Sequence, residues 1–169
     1  MLAKPYFLSG QRFKAAALDE TRRYLAVWHV ESDQAFKTKE YTSDWGFFEW
    51  SDKIGDWSRD LFEVTDGTEL DVLDVKDDEY LYVVSFEGLS QSEAERGLKA
   101  VKSVRKGVVW FNAVGLDKAS KFVGIRKLTR LDADFSPLPE GCTAKETIFA
   151  PISRFANSPS AALEQSLAG

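Results

Sequence analysis

A chain of 169 residues that is 44% hydrophobic and 13% aromatic can bury a sizeable core, and it lacks the charge-rich, aromatic-poor profile of disorder. One cysteine, Cys142, and one histidine, His29, exclude an internal disulfide and a multi-cysteine zinc site, and leave a transition metal almost only carboxylates. The net charge of −5 conceals an asymmetry: residues 1–95 carry 10 basic and 21 acidic side chains, whereas residues 96–130 carry 10 basic and one acidic.

Such segments either face each other in the fold or lie on separate solvated faces. No apolar run approaches the roughly 20 residues of a membrane helix. Pro5-Tyr6-Phe7-Leu8 is too short for the apolar core of a signal peptide, so a cytoplasmic protein with no membrane association is expected.

In chain order, Ala15-Ala16-Ala17-Leu18 favours a helix over 11–21. Arg23 to Val30 predicts a strand with Tyr24, Ala26, Trp28 and Val30 on one face and Leu25, Val27 and His29 on the other. Residues 33–50 read as loop with short extended pieces. Ser51 then caps a short helix to about Phe62, with Ile54, Trp57 and Leu61 inward and Asp52, Asp56 and Asp60 stacked on another face.

After the Asp66-Gly67 turn comes a strand at 69–75, and Asp77-Asp78 turns the chain again. Tyr80 to Phe86 is apolar on both alternating faces, as in a strand covered on both sides. Ser90-Gln91-Ser92-Glu93 forms a capping box for a helix that runs through Ala94, Leu98, Val101 and Arg105 and stops near Gly107. Val108 to Val114, 121–128 and Thr147 to Pro151 are further strands, and Asp132 to Gly141 is loop. Ser158-Pro159 opens a final helix through Leu163 and Leu167. The expectation is one α+β domain, residues 1–169, with a mixed β-sheet and about three helices. It includes a strand-helix-strand crossover over 80–114.

Catalytic motifs are missing. Gly88, Gly107, Gly115 and Gly124 are too scattered to form a phosphate loop, and neither a Gly-x-Ser-x-Gly elbow nor a His-Glu-x-x-His pair occurs. A Cys142 nucleophile would need His29 or another base within reach. Asp71, Asp74, Asp77, Asp78 and Glu79 lack the ligand spacing of a calcium loop. The basic set Arg96, Lys99, Lys102, Arg105, Lys106, Arg126, Lys127 and Arg130 belongs to no nucleic-acid motif, and the acidic overall balance opposes that affinity. No cofactor, no metal and no nucleic-acid partner are expected, and the chain reads as a non-enzyme.

One stretch points to a protein partner. Between Asp44 and Asp60, Trp45, Phe47, Phe48, Trp50, Ile54 and Trp57 alternate with Asp44, Glu49, Asp52, Asp56 and Asp60. Aromatics dominate contact energies and clustered acids steer basic partners, so Trp45, Phe48, Trp50, Asp52, Asp56 and Asp60 are the candidate contact residues. Core packing of those rings is the competing reading.

The C-terminal third adds a resemblance. Val114-Gly115-Leu116-Asp117-Lys118-Ala119-Ser120, then Ile125-Arg126-Lys127-Leu128, Ile148-Phe149 and a closing Ala161-Ala162-Leu163-Glu164 helix follow one another in order. Residues 114–169 thereby resemble bacterial immunity proteins that neutralise polymorphic toxins, in which a Leu-Asp-x-x-Ser step, an Ile-Phe strand and a terminal helix recur. The resemblance implies a cytoplasmic, non-catalytic inhibitor that occludes the active site of a cognate toxin, and it assigns no binding residue. The alternative is a structural or assembly component of the phage or secretion-machine type.

Overall fold

The computed structural model describes residues 1–17, 22–43, 55, 57–65, 74–131 and 136–159. Its first element corrects the helix expected over 11–21. Strand β1 spans Phe7–Ala15, with Phe7, Ser9, Gln11, Phe13 and Ala15 buried and Arg12 and Lys14 exposed. That period of two overrides the weak helical preference of the alanines.

Strand β2 (Tyr24–Val30) pairs with it, and the two faces divide as the alternation demands: Leu25 and Val27 join one core cluster, Trp28 and Val30 another. Where loop with extended pieces was expected, Asp33–Lys37 forms a 3₁₀ turn and Lys39–Thr42 a one-turn helix, α1. Ser32 and Thr38 cap them through side-chain oxygens, which satisfy otherwise free amides.

The chain continues through β3 (Asp60–Val64), β4 (Tyr80–Glu87), helix α2 (Gln91–Val104), β5 (Val109–Leu116), β6 (Ser120–Leu128), β7 (Lys145–Pro151) and the two-residue β8 (Ala156–Asn157). The main strands are ordered β2-β1-β7-β4-β6-β5-β3, and every neighbouring pair is antiparallel. Among the described residues the fold is therefore mostly β, a seven-stranded antiparallel sheet curled into a half-barrel with two short helices, which corrects the expected mixed sheet.

The crossover over 80–114 is present but split. Strands β4 and β5 run in the same direction, yet β6 lies between them and pairs antiparallel with both. The capping box predicted at Ser90 and Glu93 is formed, and Gly107 takes a left-handed φ of 69° just past the helix. Asp77-Asp78 forms the expected turn, but 74–75 carry no strand. The Asp66-Gly67 turn, residues 69–73 and the terminal helix beyond Pro159 lie outside the described residues.

Two main cores sit on the two faces of the sheet, and a smaller cluster of Phe7, Ala35 and Tyr41 packs with Trp28 and Val30. The inner face of the curl gathers Phe13, Leu81, Phe111, Ile125 and Phe149, with Leu25, Val27, Phe62 and Val64 against them, so all seven strands contribute. On the other face α2 covers Tyr82, Val84, Phe86 and Trp110 with Ala94 and Val101. Gly124 allows that second layer to close, because a Cβ there would stand 2.6 Å from Val108, 2.7 Å from Trp110 and 2.8 Å from Val84.

Charge is used sparingly inside. Arg105, at the end of α2, is buried and forms a bidentate pair with Glu146 of β7 at 2.7 and 3.0 Å, while the Tyr82 hydroxyl donates to the same carboxylate. Burial first, and the adjacent Glu146 second, hold the Tyr82 phenol well above its ordinary range. Buried Gln11 does the corresponding work on the inner face. Its amide donates to the Val75 carbonyl at 2.7 Å and accepts from the Val75 amide at 3.1 Å, which ties the 74–79 loop to β1.

Candidate functional site

Of the predicted contact residues, Trp45, Phe48, Trp50, Asp52 and Asp56 lie outside the described residues, and only Asp60 is placed. The helix expected from Ser51 to Phe62 does not extend to its predicted end. Residues 57–59 carry no regular structure, and Asp60–Phe62 belong to β3. Antiparallel pairing with β5, with Phe62 and Val64 two residues apart against the inner core, decides for the strand.

Asp60 holds a turn. Its two carboxylate oxygens accept from the Ala119 amide at 2.8 Å and the Ser120 amide at 3.1 Å, where the chain passes from β5 to β6. That turn places Leu116 and Lys118 at left-handed φ values of 61° and 52°, so charged acceptors for its amides are structurally valuable. Asp117 answers from the other side: its carboxylate accepts from the Arg59 amide at 2.8 Å, and its own amide donates to the Arg59 carbonyl at 2.8 Å.

The Leu116-Asp117-Lys118-Ala119-Ser120 step thus has a local role. Its Ser120 hydroxyl accepts from the Phe86 amide at 2.8 Å and donates to the Phe122 carbonyl at 2.6 Å.

Upon this anchored corner stands Trp57, 42% exposed. The Arg59 guanidinium carbon lies 5.6 Å from the centre of the indole, a cation–π distance. The same guanidinium donates to the Tyr41 hydroxyl at 3.1 Å and approaches the Asp117 carboxylate at 3.8 Å. Tyr41 is itself buried, stacked on Phe7 at 5.9 Å in the cluster that α1 and the 3₁₀ turn lay over β1 and β2. Ser58 is fixed from outside, since Arg22 donates to its hydroxyl at 3.1 Å and to Glu87 at 3.0 Å.

Trp57, Ser58 and Arg59 are therefore held from both flanks although they form neither helix nor strand. Comparison with family models, curated proteins and solved structures returns no match.

The remaining candidates fall elsewhere. Cys142 packs in the cluster beneath α2, its sulfur 4.0 Å from the Gly97 carbonyl. His29 lies opposite Ser9 on β2, at the end of the sheet, and partial burial lowers its pKa. Among the described residues no three His, Cys, Asp or Glu side chains gather in metal-binding proximity. No described helix is long and apolar enough to cross a membrane.

The basic segment is dispersed rather than arrayed. Arg105 is buried on Glu146, and Lys127 reaches the Asp74 carbonyl at 3.1 Å and Glu79 at 4.0 Å. Arg126 donates to the Lys106 carbonyl at 2.9 Å, and Lys102 lies 5.6 Å from the centre of the Trp110 ring. Of these contacts only Lys127–Glu79 joins the basic segment to a carboxylate of residues 1–95.

Sequence reasoning missed Arg59, Tyr41 and Asp117. The local signal was weak, a Leu61-Phe62 pair followed by Val64 in a β-favouring run, which leaves Trp57 in the approach to a strand.

Proposed function

We propose that this protein is a non-catalytic, protein-binding inhibitor, in its most specific form an immunity protein that occludes the active site of a cognate bacterial toxin. The observation that carries this reading is Trp57, a large indole half out in solvent on a corner held by Arg59, Asp60 and Asp117. Tryptophan and arginine are the side chains most enriched at interface hot spots. A contact residue ordered in advance loses less conformational entropy on binding. The order of motifs across residues 114–169 supports the more specific form, and the acidic residues crowded between 44 and 60 fit a basic partner.

Co-expression with the product of the adjoining gene tests the reading. The expected result is a stable one-to-one complex on size-exclusion chromatography in which the partner's toxic activity is silenced. A chain that instead self-associates symmetrically and leaves the partner active would favour an assembly component.

A further inference from the structure

Beyond any protein partner, we infer that the outer face of β1 and β2 carries a small-molecule site for a single-ring aromatic carboxylate. The site arises where β1 changes neighbours. Its far edge pairs with β7 at Phe13–Ala15 and with β8 at Ser9–Gly10, and residues 152–155 bulge across the gap between. The Ile152 amide donates to the Arg12 carbonyl at 2.9 Å, and the Ser153 hydroxyl accepts from the Arg12 amide at 3.0 Å, so the gap is braced open rather than zipped.

What remains is an open cleft of about 200 Å³ whose walls include Leu2, Gly10, Trp28, Ala156, Arg12 and Arg154. Gly10 lets the Trp28 indole lie against the strand, since a Cβ there would fall 2.3 Å from the ring, and the indole becomes an apolar wall.

Charge selects the ligand. Arg12 and Arg154 are both exposed and line this cleft, and Arg154 also borders a neighbouring cleft that Asp74, Asp77 and Asp78 line. Neither guanidinium has an ion pair or side-chain hydrogen bond among the described residues, whereas Arg22, Arg59 and Arg105 all have carboxylate partners. Two uncommitted guanidiniums beside an indole, in a chain of net charge −5, make a local anion site with an apolar wall. An apolar cavity of roughly 150 Å³ accepts benzene, so this volume suits one ring bearing one carboxylate.

Titration of the full chain with benzoate, followed by the indole N–H resonance of Trp28 assigned through Trp28→Phe, tests the inference. A saturable shift at millimolar benzoate is expected. It should weaken at least tenfold in the Arg12→Ala/Arg154→Ala double variant, with little response to benzamide. Three results would overturn the assignment: no saturation, equal affinity in the double variant, or phosphate binding as tightly as benzoate. Both arginines are exposed, so the variants are expected to fold, and an unchanged amide spectrum away from the cleft confirms it. The outcome is independent of partner binding at Trp57.

Discussion

Two corners of this sheet are built from the same three groups and put to opposite uses. At one, Arg105 meets the Glu146 carboxylate and a tyrosine hydroxyl, Tyr82, with its side chain 2% exposed. At the other, Arg59 meets the Asp117 carboxylate and a tyrosine hydroxyl, Tyr41, with its side chain 28% exposed. The buried Arg105 Nε and Nη2 are both met by Glu146, so the inner triad acts as a lock between α2 and β7. The outer ion pair is longer, at 3.8 Å, and partly exposed, so it contributes little stability, and its guanidinium holds an indole in a defined place. Burial, rather than the identity of the groups, separates structure from surface.

Breaking the inner triad should have the largest effect. Glu146→Ala leaves the Arg105 charge and the Tyr82 hydroxyl without their shared acceptor, and urea denaturation should record a loss of about 3 kcal/mol. Gly124→Ala attacks the same layer by overpacking. A Cβ wedged among Val108, Trp110 and Val84 should cost about 2 kcal/mol by the same measurement.

Asp60→Ala opens the outer corner by removing the acceptor of two turn amides, with an expected loss of about 1.5 kcal/mol. Trp57→Ala, at a position 42% exposed, removes the cation–π contact with Arg59 and should cost about 1 kcal/mol.

His29 stands apart from both triads and supplies the smallest effect. Burial lowers its folded pKa below 6.5, so the unfolded chain binds the proton more readily. Stability should fall as pH drops from about 6.5 toward the folded value, and melting temperatures of His29→Gln should lack that part of the slope.

Several strands are legible in the sequence alone, from two-face alternation at 24–30 or from a continuous apolar run at 80–86. Tyr24–Val30, Tyr80–Glu87 and Ser120–Leu128 differ from the expected bounds by one residue at most, and the Ser90 capping box marks its helix start. The neighbours of each strand are not legible there. Residues 80–114 read equally well as an adjacent parallel crossover and as one split by β6, because pairing is decided by which faces the whole sheet must cover.

The alanines of 15–17 pull the first element toward helix, and only partners in β2, β7 and β8 make β1 the better use of that segment. At the candidate site the sequence pattern places Trp57 inward on a helix, whereas the structure leaves it 42% exposed in the approach to β3. The chemistry that fixes Trp57 comes from Tyr41 and Asp117, 16 residues before it and 60 after, a juxtaposition no local pattern encodes.

The central claim is that Trp57 is a contact residue and not part of the core, and one paired titration tests it most directly. Calorimetry of the adjoining gene's product against wild type, Trp57→Ala and Glu146→Ala should show affinity falling at least tenfold for Trp57→Ala while its melting temperature stays within a few degrees. Glu146→Ala, kept below its lowered melting temperature, should bind like wild type. Undiminished affinity in Trp57→Ala, or a loss of folding on removal of that indole, would contradict the account.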